Sequence, residues 1–247
     1  MLPNPRFKPV NAEPHPVRTI EMPSAVLKIK KTIANDVYTR LRNQIISCTL
    51  RPGAKINIQS LCVEMGVSLG AVREALSKLS AEGLVNAFEQ RGYAAAEVSI
   101  DDLRELTAAR IKIEQECICS AIDHRTLDWE TGIVAALHRL SNTPYILEGS
   151  TLLDPAWAKA HHAFHGALVA ACDNRWLLRI RSQLYDQSER YRQVSVPVAR
   201  VERDVKSEHD AIAAAVLKHD KDEVCRLIAA HLEKTATIVI EALKDMT

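Results

Sequence analysis

No stretch of this 247-residue chain approaches the roughly 20 consecutive apolar residues that a membrane helix needs, so no membrane span is predicted. The first residues, Met1–Lys31, carry six prolines and no apolar h-region, so they are not expected to be a secretory signal. No glycine-rich phosphate loop is present, and no Ser/His/Asp or Cys/His spacing offers a nucleophile with its base. Cysteine is sparse and scattered, at Cys48, Cys62, Cys117, Cys119, Cys172 and Cys225. Cys117-x-Cys119 is not a zinc-knuckle spacing. Five of the six sit among apolar residues in predicted helices, which reads as reduced core cysteines of a cytoplasmic protein. There is no internal repeat, and no biased segment beyond the N-terminal arm. Core-forming residues are not lacking: 47% are hydrophobic and 26% charged, which excludes disorder along the whole chain.

The net charge of +1 conceals an asymmetry. Residues 1–98 hold 13 Lys+Arg against 8 Asp+Glu, whereas residues 99–247 hold 19 against 23. A basic half joined to an acidic half points to a polyanion as partner of the first half.

The chain reads as three segments. Residues 1–27 are a flexible proline-rich arm, residues 28–98 a winged helix-turn-helix, and residues 99–247 an all-α bundle. In the second segment, Ile33, Val37, Leu41 and Ile45 form one apolar stripe. Arg51-Pro52-Gly53 supplies a turn. Asn57 caps a predicted helix over Ile58–Met65, which Gly66 ends. Ser68 caps a third helix through Arg73, Leu76 and Leu79 to Glu82. Leu84–Phe88, a Gln90-Arg91-Gly92 turn and Tyr93–Val98 read as strand, turn, strand. Six further helices are predicted. They begin at the Ser99-x-x-Asp102 capping box, near Trp129, at Asp154-Pro155 (ending near Cys172), at Arg175, at Val198 and at Asp220.

The geometry of a helix-turn-helix places its third helix in the major groove of DNA. Val72, Leu76 and Leu79 face the small core, so Arg73 projects from the opposite side, where it can bond guanine bidentately. Ser68 and the helix N-terminus can hold a phosphate. Residues 32–98 resemble the DNA-binding domain of GntR-family bacterial transcription regulators. The likeness is carried by Leu50-Arg51-Pro52-Gly53, Gly66-Val67-Ser68, Val72-Arg73-Glu74-Ala75-Leu76, Leu79, Glu82-Gly83-Leu84-Val85 and Arg91-Gly92. The family's usual Ser-Arg-Thr-Pro before Val-Arg-Glu-Ala-Leu is here Ser68-Leu69-Gly70-Ala71. The resemblance therefore implies DNA contact through Gln59, Ser68, Leu69, Gly70 and Arg73, with Arg91 and Gly92 at the wing tip, but with a readout that leans on Arg73.

In the helical half, Trp157, His161, Phe164, His165 and Leu168 share one stripe. Val205, His209, Ile212 and Val216 share another, and Val224, Ile228, His231, Thr235 and Ile238 a third. Three helices each aim histidine inward, a pattern that points to a metal site rather than to satisfied core histidines. Residues 99–240 resemble the FCD effector domain of the FadR-type subfamily, whose metal-binding members use Asp-x3-His on one helix and a His on each of two later ones. The resemblance implies that His165, His209 and His231 hold a divalent transition metal, zinc foremost, with nickel or iron as alternatives. His161 stands at the Asp position. Either it ligates and favours a borderline metal over manganese or calcium, or the position does not ligate. His162 lies off the stripe.

Arg110 and Glu114 lie on the apolar stripe of the first bundle helix, where an unpaired charge is costly. They read either as an i,i+4 ion pair or as an arginine offered to a carboxylate. The resemblance favours an effector pocket that includes Arg110, Glu114 and Asn174, the last being alternatively only a C-cap. Arg190, Tyr191 and Arg192 read as a solvated helix face. His209-Asp210 and His219-Asp220 admit a helical metallohydrolase, but Asp210 is off the stripe and His219 is near a helix end. The expected protein is not an enzyme. It is expected to be a homodimeric transcription regulator with no membrane partner that binds a palindromic operator on double-stranded DNA, responds to a small carboxylate and acts as a repressor. A DNA-binding protein with an inert dimerisation bundle is the other alternative.

Overall fold

The computed structural model describes residues 33–88, 92–150, 153–195 and 203–244. The predicted arm at 1–27 and the wing-tip residue Arg91 lie outside the described residues. Helix α1 (Ile33–Ile46) buries Val37, Leu41 and Ile45, while Ile33 is exposed and Ala34 takes the buried place in the first turn. Helix α2 (Ile58–Met65) is capped by Asn57, whose side chain accepts the Ser60 N–H at 3.0 Å. It ends at Gly66, whose φ of 63° is left-handed and suits glycine. Helix α3 (Leu69–Ala81) is capped by Ser68, which accepts the Ala71 N–H. Val72, Ala75, Leu76 and Leu79 of α3 pack on the α1 stripe, together with Leu84, Val85 and Ala95. Truncating Leu76 in such a core would cost roughly 2–5 kcal/mol.

Strands β2 (Val85–Phe88) and β3 (Gly92–Ala95) are antiparallel, with Phe88 opposite Gly92 and Val85 opposite Ala95. A strand not anticipated from sequence, β1 (Lys55–Ile56), pairs with the outer edge of β3, giving the order β1-β3-β2. Three helices and this small sheet make the expected winged helix-turn-helix.

The remaining described helices are α4 (Ile100–Asp123), α5 (Leu127–Ser141), α6 (Pro155–Leu168), α7 (Arg175–Ser195), α8 (Val205–Leu217) and α9 (Lys221–Lys244). Ser99 accepts the Asp102 N–H at 3.1 Å, and Asp154 caps α6 ahead of Pro155, as their spacing predicts. One boundary differs. Helix α6 stops at Leu168, and the turn that follows carries the chain to Cys172. Helix α8 begins at Val205, where Asp204 accepts the Ser207 N–H and caps it; the predicted start at Val198 lies outside the described residues. The core of this half gathers Cys117, Ile118, Ile122, Trp129, Ile133, Phe164, Leu168, Ile212, Val216 and Ile228.

Helix α7 also touches the winged head. Asp186 pairs with Arg42, and the Gln187 amide donates to the Glu82 carbonyl at 2.8 Å. Gly83 has a left-handed φ of 70°, and a Cβ there would lie 3.4 Å from Gln187 Nε2, so glycine permits both the turn and the contact. Arg190 donates to the Ala96 and Glu97 carbonyls, and Tyr191 donates to Asp102 and accepts from the Ser99 N–H. Arg190 is 2% and Tyr191 1% exposed, which corrects the reading of this cluster as a solvated face. The polar side chains are buried because they satisfy backbone groups where the wing passes into α4.

Candidate metal centre and nucleic-acid interface

The apolar stripes of α6, α8 and α9 bring His161, His165, His209 and His231 together, all buried, with one nitrogen from each within 4.8 Å of every other. His161 Nε2 and His165 Nε2 are 3.1 Å apart. The ring of His161 stacks on Trp157 at 4.6 Å, and its Nδ1 meets the Tyr185 hydroxyl at 3.3 Å. His231 Nδ1 lies 2.8 Å from Glu208 Oε2, which leaves Nε2 for the cluster. His165 Nδ1 and His209 Nε2 are buried with no hydrogen-bond partner among the described residues. Orphaned imidazole nitrogens inside a core are costly unless something accepts their lone pairs or protons. A metal ion fits that need, and the four residues present could hold one. His162, exposed and edge-on to Tyr185, stays outside the cluster.

Burial, with the neighbouring imidazoles and arginines, drives His161 and His165 well below the usual histidine range. Burial and His231 bring His209 down to about 3. Burial also lowers His231, although the Glu208 carboxylate opposes it. Burial alone would raise the Glu208 carboxyl, but hydrogen bonds from His231, Arg203 and Lys234 outweigh it and hold the group well below its usual range. The cluster is thus a set of neutral imidazoles, the form in which histidine ligates.

A cavity of about 60 Å³ adjoins the cluster, walled by His161, His231, Arg110, Arg192, Arg203 and Tyr185 among others. A larger space of about 420 Å³ shares Tyr145, Trp157, Arg192 and Arg203 with it and reaches His209. Arg110 serves both readings offered by its sequence. It pairs with Glu114 at 3.5 Å and lies 4.9 Å over the Tyr185 ring at the cavity wall. Glu114 itself does not line the cavity. It is buried behind it, accepting from Arg181 Nε at 2.7 Å, while Arg181 also donates to the His165 carbonyl. Asn174 is corrected as a pocket residue: it is exposed at the start of α7, where its Oδ1 accepts the Trp176 and Leu177 N–H groups. Sequence reasoning missed Arg181, Tyr185, Arg203 and Glu208. Asp210 pairs with Lys206 at 2.8 Å away from the cluster, and His219 pairs with Glu130, so neither His-Asp dipeptide builds a hydrolase site.

On the head, Gln59, Ser68, Leu69, Gly70 and Arg73 are all exposed, at the start of α2 and along the first turns of α3. Arg73 forms no ion pair with any described residue. Gly92 is exposed at the start of β3.

The family model described as bacterial regulatory proteins, gntR family, matches residues 33–94, and that of the FCD domain matches residues 105–234. The chain belongs to the GntR family. The uncharacterized HTH-type transcriptional regulator BphR of Paraburkholderia xenovorans is 35% identical over 85% of this chain and 86% of its own. The HTH-type transcriptional repressor GlaR of Escherichia coli is 32% identical over 84% of this chain and 96% of its own. Among solved structures, E. coli McbR/YncC superposes with a TM-score of 0.70 at 19% identity, over 85% of this chain and 98% of that one. A putative GntR regulator from Rhodococcus sp. RHA1 gives 0.68 at 22% identity, over 84% and 97%. These two likenesses concern the fold. As a GntR-family protein with an FCD domain, the chain is a DNA-binding transcriptional regulator and not an enzyme. Among the described residues no helix is long and apolar enough to cross a membrane.

Proposed function

We propose that this GntR-family protein is a homodimeric repressor whose affinity for a palindromic operator is set by a small carboxylate bound at a metal in the FCD half. The observation that carries the reading is the buried four-histidine cluster opening on a cavity walled by Arg110, Arg192 and Arg203. Neutral imidazoles in this number favour zinc, with nickel or iron(II) as alternatives. When bound, the metal supplies a Lewis-acidic centre for one carboxylate oxygen. Arg110, backed by Glu114, would bond the carboxylate of the effector, with Glu208 orienting His231 and Tyr185 orienting His161. The functional division falls near residue 98, with the DNA-reading unit before it and the sensor after it.

On the head, Arg73 reads base edges, Ser68, Leu69 and Gly70 approach the backbone at the start of α3, and Gln59 assists from α2. Arg91 and Gly92 belong to the wing. Helix α7 carries the signal: Tyr185 and Arg192 face the sensor cavity, and Asp186, Gln187 and Arg190 hold the head. Couplings of this kind amount to about 1–3 kcal/mol.

The test starts by selecting bound sequences from a random duplex pool, then measures binding to the selected site. Metal-free and zinc-restored protein are compared, with and without a panel of small mono- and dicarboxylates. A palindromic site whose affinity changes only when metal and a carboxylate are both present supports the proposal. A palindrome insensitive to both would instead identify the helical half as an inert dimerisation bundle.

A further inference from the structure

Away from the histidine cluster, helices α4 and α9 place two thiols in contact. Cys119 Sγ and Cys225 Sγ are 3.6 Å apart, and both residues are half-buried. The contact is held in place one turn away, where the Gln115 side chain donates to the Cys225 carbonyl at 2.9 Å. Neither cysteine walls the cavities beside the metal centre. This differs from the sequence reading of core cysteines: only Cys117 and Cys172 are fully buried. Those two neighbour each other in the interior, closed to solvent, so α4 contributes Cys117 to a sheltered thiol pair and Cys119 to a more accessible one.

We propose that Cys119 and Cys225 are a modification site that reacts with oxidising low-molecular-weight disulfides and closes into an intramolecular disulfide. The thiolate of one cysteine attacks the small disulfide, forming a mixed disulfide and releasing one small thiolate. The partner's thiolate then attacks the protein sulfur of that mixed disulfide and releases the second. Two protein thiols and one small disulfide become one protein disulfide and two small thiols, with both protons passing to the released thiolates. Closure needs the sulfurs to approach by about 1.5 Å, from contact to bond length, a movement within reach of side-chain rotation. Burial and the hydrogen bond that the Cys225 thiol shares with Cys119 push that thiol up to about 11, so thiolate is scarce near neutral pH and exchange is slow there. The bond would tie the helix carrying Arg110 and Glu114 to the helix carrying His231.

The experiment treats the full-length protein with glutathione disulfide at about pH 9, where thiolate is more abundant. Intact mass and peptide mapping then follow the products. The expected product has lost two hydrogens, links the Cys119 and Cys225 peptides, melts at higher temperature than the reduced protein and reverts with dithiothreitol. Cys119→Ser and Cys225→Ser should each stop at a mixed disulfide on the remaining cysteine, with no rise in melting temperature. A wild-type product that keeps glutathione on both cysteines, a disulfide that uses Cys48 or Cys62 instead, or no reaction over a day would each overturn the proposal. The wild-type readout does not depend on the variants folding.

Discussion

Replacing Glu114 by Gln removes one negative charge from a place where two guanidinium groups depend on it. The side chain is 1% exposed, with Arg181 at 2.7 Å and Arg110 at 3.5 Å, whose own side chains are only 8% and 10% exposed. Water cannot take over the lost interaction. A glutamine amide offers one acceptor oxygen and an NH2 group with two donors, so one arginine would face N–H groups of its own polarity. Breaking a buried pair by changing one partner costs about 3–5 kcal/mol. In a chain of this size that lowers the melting temperature by roughly 6–20 °C. Urea unfolding followed by tryptophan fluorescence is a suitable assay, because Trp129 and Trp157 are buried in this half. The internal control is Asp210→Asn, which breaks a 2.8 Å pair with Lys206 whose side chains are 63% and 43% exposed. That change should leave the unfolding midpoint nearly where it is in the unaltered protein, because solvent screens the pair. Equal losses of under about 1 kcal/mol for both variants would refute the reasoning, since they would mean that burial of the Glu114 network carries no penalty.

Other outcomes follow from the same geometry. Arg73→Ala should lower operator binding by about 1–3 kcal/mol and relax preference at one base position, with unchanged preference in a binding-site selection counting against it. His209→Ala and His231→Ala should each lose bound zinc by elemental analysis while keeping their helical circular dichroism; full metal in both would remove the histidine cluster from the metal site. Glu208→Gln should weaken zinc binding by about 10–100-fold, read by competition with a chelating dye, because His231 loses the partner that orients it. Arg190→Gln should leave operator binding present but shrink the difference between effector-loaded and effector-free protein in a binding titration; an unchanged difference would take Arg190 out of the coupling.

The features legible in the sequence are local ones. Asn57, Ser68, Ser99 and Asp154 cap the helices their spacing predicts, because a cap is a contact between residues two or three apart. The histidines were legible because each lies on the apolar stripe of its own helix, and three stripes that must be buried share one interior. What was not legible are contacts between distant segments. Strand β1 is two residues long and has no periodicity to read; its partners Tyr93 and Ala94 lie far along the chain. Arg181, Tyr185 and Arg190 recur at spacings that look like a wet helix face. Glu114 of α4, His161 and the His165 carbonyl of α6, and the carbonyls of Ala96 and Glu97 show where they are buried. Asn174 follows the opposite course, since its motif position suggests a pocket but its side chain is used locally to cap α7.

Helix α7 also limits how this protein can be recombined. Its sequence interleaves residues that line the cavity beside the histidine cluster with residues that hold the head, often one position apart, as Tyr185 and Asp186 are. A chimera joined at residue 98 would therefore import a foreign α7 against Arg42, Glu82 and the Ala96 carbonyl. Such a hybrid could fold in both halves and still be unresponsive. Exchange of heads between relatives would have to carry the docking positions of α7 with the head, or accept a head that the helical half no longer holds in place.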